Sequence, residues 1–372
     1  MKIGEPYMVK VLYVNGNIMK RGGIEAFMMN YFRAIDKSKV KIDFLVHGYG
    51  KGVYDDEIIA AGSTIHHVPT KSKHPIKYAR ELKRILLNEK YDVVHSHLDA
   101  MSGWVLKIAK ECGVPVRIAH SHNTDHLTNN KLKRIVNDFA KKQIPIYATD
   151  LFACSKMAGE WLFGSDAKFV IVKNAIPIND FIFDKAMRQK IRDEYDWSDK
   201  IVLGHVGRFD YQKNQEFLIE LLQRLLKKKS TYRLVFVGGG DDMEHIKALA
   251  EQKGVQKQCY FMGSRPDVNK FYNAFDIFLL PSRFEGLGIV AIEAQVNGLP
   301  SVVSLGVPEE AVLCKNVLRL SLEKICEWEK AVLEIDLKRK KENPAEVEKA
   351  GYSIQKEVAW LEEFYLSRGS IK

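Results

Sequence analysis

The feature that most limits what this chain can fold into is a repeated alternation of short apolar runs with amphipathic helical patterns. VKVLYV (9–14) is an apolar, β-branched run, and Ile24, Phe27, Met28, Tyr31, Phe32 and Ile35 then follow i, i+3, i+4, i+7 spacing. Further strand segments are KIDFLV (41–46), STIHHV (63–68), YDVVHS (91–96), VPVRIAH (114–120), DLFACS (150–155) and KFVIV (168–172). The pattern restarts with KIVLGHVG (200–207), a helix over Gln215–Lys227, YRLVFVG (232–238) and a helix over Asp242–Lys253. QCYFMG (258–263), DIFLLPS (276–282) and PSVVS (300–304) complete it. Strands separated by helices predict parallel sheets with helices on both faces. Two such series, joined near NAIPINDFIF (174–183), predict an α/β chain of two doubly wound domains, 1–180 and 181–350. The last segment, 351–372, is expected to form a helix that crosses back to the first domain. Trp328, Trp360, Phe364 and Tyr365 have spacings suited to packing on another surface.

The 372 residues match two domains of about 150–200 residues, each able to bury a core without staples. No apolar run reaches the ~18–20 residues of a membrane span. The opening MKIGEPYMVKVLYV lacks an uninterrupted apolar stretch and a cleavage site, which argues against a secretory signal and for a cytoplasmic protein. The five cysteines show no Cys-x-x-Cys spacing, as expected of thiols in a reducing compartment. Charge divides unevenly. Residues 1–180 hold 27 Lys and Arg against 18 Asp and Glu, whereas residues 181–372 hold 30 against 29. The basic half predicts an acidic counterpart: phosphates, nucleic acid or an anionic membrane surface.

In open α/β sheets, ligands gather beyond the carboxyl ends of strands, so strand-to-helix loops are the places to look. NGNIMKRGGIEAF (15–27) puts Gly22-Gly23 before a helix, where backbone N–H groups can approach a phosphate; a simple tight turn reads equally well. In GRFDYQKN (207–214), Arg208 and Lys213 are two cations able to hold a diphosphate, and Asn214 is a candidate helix cap. In PSRFEGLGIVAIEAQVNGLP (281–300), Glu285 falls at a helix N-terminus and Glu293 inside that helix, among Ile289, Val290, Ala291 and Ile292. At ~1.5 Å rise per residue the two stand roughly 10–12 Å apart. That exceeds the about 5–9.5 Å of a glycosidase carboxylate pair. It suits the two hydroxyl-bearing ends of an elongated ligand such as a nucleotide-sugar.

Glu-x7-Glu after Pro-Ser, with Gly-Arg…Lys-Asn and the Gly-Gly-Ile-Glu loop, resembles glycosyltransferase family 4, whose members are retaining enzymes of the GT-B fold. The resemblance spans about residues 8–305. The tone of RGGIEAFMMNYF, IDFLVHG and RIAHSHN is similar to bacterial exopolysaccharide and capsule glycosyltransferases. It implies two Rossmann-like domains facing a cleft, with the acceptor on the first and the nucleotide-sugar on the second. It implies that Glu293 binds ribose hydroxyls, Glu285 the donor sugar's hydroxyls, and Arg208 and Lys213 the departing diphosphate. Backbone N–H groups at Gly286, Leu287 and Gly288 would touch the sugar, and those at Gly22 and Gly23 the phosphates. His122 would lie near the reacting sugar with His120 as its neighbour, and Gly263, Ser264 and Arg265 would border the nucleobase. Front-face displacement without a carboxylate nucleophile is expected. No Asp-x-Asp occurs, so no metal and no cofactor is expected beyond the donor, with UDP preferred. After SVVSLGVPEEAV the chain lacks the glycine-bearing loop and strand of many family members, so the end of the second sheet is expected to be shortened.

On the acceptor side, KSKHPIKYARELKR (71–84) and KLKRIVNDFAKK (131–142) concentrate the positive charge, with Lys77, Arg80 and Arg84 on one helical face. Such runs are often solvated faces. They also suit an anionic inner membrane surface that delivers a lipid-linked acceptor, an oligosaccharide being the other acceptor class. A nucleic-acid partner is not expected, since no recognition motif is present and the paired glutamates would go unexplained. Alternatives within the same architecture are a nucleotide-sugar 2-epimerase and a non-catalytic sugar-binding protein.

Overall fold

The computed structural model describes residues 8–126 and 130–369. The reading of the N-terminal segment against a signal rests partly on residues 1–7, which lie outside these. The chain divides into two compact units. One comprises the described residues up to Ala175 together with those from Ile354 onward, and the other is Ile176–Ser353.

The N-terminal unit contains β1 (Val9–Val14), α1 (Gly23–Ala34), β2 (Val40–His47), α2 (Asp55–Ala60), β3 (Ile65–Val68), α3 (Pro75–Glu89) and β4 (Val93–Ser96). It continues through α4 (Ser102–Glu111), β5 (Val116–Ser121), α5 (Lys131–Tyr147), β6 (Asp150–Ala153), α6 (Lys156–Phe163) and β7 (Val170–Ile171). Its seven strands are parallel in the order β3-β2-β1-β4-β5-β6-β7. Parallel strands need crossovers, and the helices supplying them cover both faces, which is why β1 is buried almost throughout.

The C-terminal unit opens with α7 (Lys185–Glu194) and β8 (Ile201–Val206), followed by α8 (Gln215–Leu226), β9 (Tyr232–Val237), α9 (Met243–Gln252), β10 (Cys259–Phe261) and α10 (Val268–Ala274). Then come β11 (Ile277–Leu280), α11 (Ile289–Val296), β12 (Ser301–Ser304), β13 (Val317–Leu320), α12 (Ile325–Glu334) and α13 (Asn343–Lys349). Its parallel order is β10-β9-β8-β11-β12-β13, the doubly wound arrangement in which strand order reverses between β8 and β11. The expectation of a shortened last sheet is corrected here: β13 pairs with β12 from Ser301↔Val317 to Ser304↔Leu320 and forms the edge. Asp276 fixes the entrance of β11, receiving Arg188 Nη2 at 2.5 Å and Arg192 Nη1 at 3.0 Å from α7 and the Val202 N–H at 2.8 Å.

The final helix, α14 (Ile354–Gly369), packs in the N-terminal unit against α1, β1 and β2. Its Ile354, Val358, Leu361 and Tyr365 join the core formed by Val9, Val11, Phe27 and Phe44. The C-terminal aromatics therefore divide. Trp360, Phe364 and Tyr365 belong to this helix, whereas Trp328 is buried in the other unit against Phe217 and donates to the Ser321 carbonyl at 2.9 Å. Among the described residues no helix is long and apolar enough to cross a membrane.

Leu361 is fully buried where α14 meets the sheet. Leu361→Ala should destabilise the N-terminal unit by about 2–5 kcal/mol, read as a lower urea midpoint at unchanged slope. A change below about 0.5 kcal/mol, the level of a surface substitution, would show that α14 is not part of that core.

Candidate active site

The loops after β8 and β11 leave adjacent strands in opposite directions around the sheet, and the chain ties them together. Arg283 N donates to the Gln212 carbonyl at 2.8 Å, Gln212 Nε2 to the Phe284 carbonyl at 3.0 Å, and Asn214 Nδ2 to the Pro281 carbonyl at 3.1 Å. That last bond corrects the expectation for Asn214. It stands at the N-cap position of α8 in a left-handed conformation, φ 56°, and spends its side chain on the neighbouring loop instead of the helix.

Glu285 lies within this joint. Lys213 Nζ donates to its Oε1 at 2.6 Å, Ser282 Oγ to the same oxygen at 2.5 Å, and Gln212 Nε2 to Oε2 at 3.3 Å. The two charged side chains are 14% and 6% exposed, so this is a buried ion pair. The Glu285 N–H is held by the Gly306 carbonyl of the loop after β12 at 2.8 Å. Arg208 differs. Its side chain is 61% exposed, and its Nε donates to Asp210 Oδ2 at 2.6 Å. Of the two cations predicted for the diphosphate, Lys213 is buried against Glu285, whereas Arg208 is largely exposed and paired with Asp210.

Gly286 and Leu287 lead to Gly288, which takes the left-handed conformation, φ 85°, at the N-cap of α11. No side chain caps this helix and no carboxylate occupies its first turn. Glu293, one turn further on, is buried and accepts from Tyr272 Oη at 2.7 Å. Burial pushes its carboxyl up to about 7, against the lowering effects of the Tyr272 hydrogen bond and the Lys213 charge. The same ammonium thus acts on both glutamates.

The loops after β9 and β10 join the row. Gly207 N donates to the Val237 carbonyl, Phe209 N to the Gly239 carbonyl and Gly238 N to the Gly263 carbonyl, all within 3.0 Å. This places Gly263–Ser264–Arg265 beside the Arg208 loop through an intermediate that the sequence reading passed over, the glycine run 238–240. A Cβ at Gly238 would come within 1.9 Å of the Gly207 carbonyl oxygen, so only glycine permits the approach. Arg265 is engaged by Asp267, at 2.9 Å and 3.0 Å, and stacks on Phe271.

In the N-terminal unit, strand order reverses between β1 and β4, and the residues singled out there again follow strand ends. Gly22 precedes the first residue of α1, Gly23. The Glu25 carboxylate folds back over it, its Oε2 only 2.5 Å from where a Cβ at Gly22 would stand, and Oε1 accepts from Asn15 Nδ2 at 3.0 Å. The positive end of α1 therefore already faces a carboxylate of the chain itself.

His122 belongs to a buried array of four histidines. His95 Nε2 and His120 Nδ1 are 3.0 Å apart, and His97 Nδ1 and His122 Nε2 are 2.9 Å apart. The rings stack in pairs, His95 on His97 and His120 on His122, each at 4.2 Å. His95 Nδ1 meets Tyr365 Oη at 2.6 Å, which links the array to α14. Burial drives all four imidazoles toward the neutral form, His122 to about 3. The backbone N–H of His122 and the side chain of Asn123 are held by Asp99 at 2.6 Å and 2.7 Å. His95, His97 and Asp99 were missed in the sequence, although His-Ser-His stands at both 95–97 and 120–122. His95, His97 and His120 bring ring nitrogens within 4.8 Å of one another, a donor set compatible with a transition metal. His95 Nε2 and His120 Nδ1 already share the 3.0 Å hydrogen bond.

Comparison with known proteins agrees with this fold. The family model "Glycosyl transferases group 1" matches residues 187–352, and "Glycosyl transferase 4-like domain" matches residues 22–175. EpsF of Bacillus subtilis (strain 168), a glycosyltransferase by name, is 33% identical over 333 residues, covering 87% of this chain and 86% of EpsF. CapH of Staphylococcus aureus, a capsular polysaccharide biosynthesis glycosyltransferase, is 27% identical over 77% of this chain and 79% of its own. The UDP-Gal:alpha-D-GlcNAc-diphosphoundecaprenol alpha-1,3-galactosyltransferase of Escherichia coli is 28% identical over 60% of each chain. The fold matches Anabaena HepE, solved in complex with UDP and glucose, with a TM-score of 0.76 at 16% identity over 96% of this chain and 99% of HepE. The two doubly wound sheets are those of the GT-B fold, and the chain belongs to the group 1, family 4-like glycosyltransferases.

Proposed function

We propose that this glycosyltransferase is a retaining, metal-independent hexosyltransferase. It would use a nucleotide-sugar, UDP-linked by preference, and act on a lipid-linked or saccharide acceptor in cell-surface polysaccharide assembly at the cytoplasmic face of the membrane. The observation that carries this reading is the joint between the β8 and β11 loops, where the Lys213–Glu285 pair stands at the point of strand reversal and Glu293 lies eight residues further on. The relatives support the biological setting: CapH acts in capsular polysaccharide biosynthesis, and the E. coli enzyme is named for a diphosphoundecaprenol-linked acceptor.

In this scheme Glu293 accepts from the ribose hydroxyls and Glu285 from the hexose. The backbone of Gly286, Leu287 and Gly288 follows the sugar, and Gly263, Ser264 and Arg265 border the base. The bond from the anomeric carbon to the diphosphate breaks while the acceptor oxygen bonds the same face, and the acceptor proton passes to the leaving phosphate. Lys213 and Arg208 meet the charge that develops there, assisted by the uncapped N-terminus of α11. An ammonium with three donors can keep Glu285 and still serve a phosphate. His122, held neutral, offers the reacting sugar a hydrogen bond and no charge, and the Gly22–Gly23 backbone is assigned to the phosphates. The chain contains no Asp-x-Asp to carry a metal-bound diphosphate, and the cations take that task.

Incubation with UDP-, GDP- and ADP-sugars in excess chelator should give slow donor hydrolysis with the released sugar in the donor's anomeric configuration. Interconversion of donors would make the protein an epimerase, and neither reaction would make it a binding protein. Glu293→Ala should weaken UDP binding by about tenfold to a hundredfold, the loss of one or two charged hydrogen bonds. Glu285→Ala should leave UDP affinity nearly intact and abolish hydrolysis. Unchanged UDP affinity in the Glu293 variant would refute the ribose assignment.

The raised Glu293 carboxyl adds a pH signature. Below about 7 it is protonated in the free protein, and a ribose diol that donates to it prefers the ionised form, so binding expels a proton. UDP affinity should therefore rise with pH up to about 7, by as much as about tenfold per unit, and then level off. In Glu293→Gln titrations it should be flat, and a wild-type profile equally flat would remove Glu293 from the nucleotide site.

A further inference from the structure

Among the described residues α5 is the longest helix, yet its buried residues are only Ala140 and Ile144. It lies in one layer with α3 and α4, joined to a shared core through Ile144 and packed on α4. Its outward face carries Leu132, Ile135, Val136 and Phe139, spaced i, i+3, i+4, i+7, and the same stripe runs on through Ile146. These side chains are exposed: Leu132 71%, Ile135 65% and Phe139 57%. Trp104 of α4 extends the stripe, its ring 6.2 Å from that of Phe139. Scattered surface leucines need no explanation, but a contiguous apolar row along about two turns marks a surface meant to be covered.

The charges beside that row identify what covers it. Lys131, Lys133 and Lys142 are exposed and make no ion pair among the described residues. Asp138, the one acidic residue of the helix, is taken by His126 at 3.1 Å. Lys77 and Arg80 of α3 add exposed cations in the same layer. A second copy of this chain would bring these cations against themselves. An apolar stripe bordered by lysines instead suits an interface that offers hydrocarbon below a sheet of negative charge.

We propose that the exposed face of α5, with Trp104, seats the protein on an anionic lipid bilayer. The helix lies in the interface plane with Leu132, Ile135, Val136 and Phe139 below the headgroups and its lysines among them. This deepens the reading of a lipid-linked acceptor by assigning the docking element, and it can be tested without donor or acceptor.

Full-length protein is sedimented with vesicles of phosphatidylcholine alone and of phosphatidylcholine mixed with phosphatidylglycerol. The wild type should partition onto the anionic vesicles at least about tenfold more strongly, as several cations near the surface require. Ile135→Ser/Phe139→Ser should lose about tenfold or more of that binding. Lys131→Ser/Lys133→Ser/Lys142→Ser should fall toward the level seen on neutral vesicles. Equal partition of the wild type onto both vesicles, or unchanged partition of the apolar variant, would overturn the proposal. So would a wild-type dimer in sedimentation velocity that the apolar variant dissociates without any vesicle binding, which would give the face to a second copy. Donor hydrolysis in the same variants should match wild type. Loss of vesicle binding with hydrolysis intact isolates the docking face, and vesicle binding without hydrolysis in any form of the protein would count against the transferase reading alone.

Discussion

A parallel strand cannot be joined to its neighbour by a tight turn, and the arrangement of this protein follows from that constraint. Each return must cross a face of the sheet, so helices cover both faces and every strand points the same way. The carboxyl ends of β8, β9, β10 and β11 therefore share one edge, and the loops leaving them have only one another to bond. The chain uses this fully. Gly207, Phe209 and Gly238 donate to the next loop in the row, and Asn214 and Arg283 close the gap between β8 and β11. Asp276, pinned by two arginines at the opposite end of β11, fixes where that strand begins and hence where Glu285 arrives.

The ion pair at that edge is not an economical way to hold a protein together. Removing one partner of such a pair costs about 3–5 kcal/mol because the other charge is stranded, yet an apolar pair of the same shape often does as well. Glu285 and Lys213 therefore make more sense as groups whose charge is needed than as a fastening. Ser282 and Gln212 add further hydrogen bonds to Glu285 and hold its oxygens in place. In the proposed scheme a sugar hydroxyl that donates to Glu285 would meet a carboxylate already oriented.

How much of this was legible depends on whether the signal was local. β1 and β8 are buried on both faces, so their continuous apolar runs stand out in the sequence. β13 was missed because it is an edge strand: its VLRL has only one buried residue, contains Arg319 and stands between Lys315 and Lys324. The loops carrying Arg208, Lys213 and Glu285, and the helix carrying Glu293, were singled out from motif and position, because the rule that ligands collect at strand ends needs only the order of elements. Their bonds were not. Lys213 and Glu285 are 72 residues apart, and nothing local says that one neutralises the other in the empty site. Asn214 shows the same limit, its residue type suiting a cap while its side chain serves a loop 67 residues away.

The histidines illustrate how burial divides labour between the two units. His-Ser-His at the ends of β4 and β5 forms one array because those strands are neighbours in parallel register, His95 opposite Ile118 and Ser96 opposite Ala119, so that the stacked pair of one strand hydrogen-bonds the pair of the other. Inside that stack desolvation outweighs any benefit of protonation, so the imidazoles stay neutral. Neutral rings can orient a hydroxyl, but they cannot offset a departing diphosphate. The N-terminal unit also places Glu25 over the start of α1, which weakens the positive field at that helix end. The positive charge near its candidate residues thus lies outside the histidine stack, while the C-terminal unit keeps Lys213, Arg208 and an uncapped helix end at the strand edge. In the proposed reaction the charge on the departing diphosphate would be met mainly by the C-terminal unit, although almost the whole net charge of the chain resides in the other half. Among the described residues that surplus includes the exposed Lys131, Lys133 and Lys142, which flank the apolar face of α5.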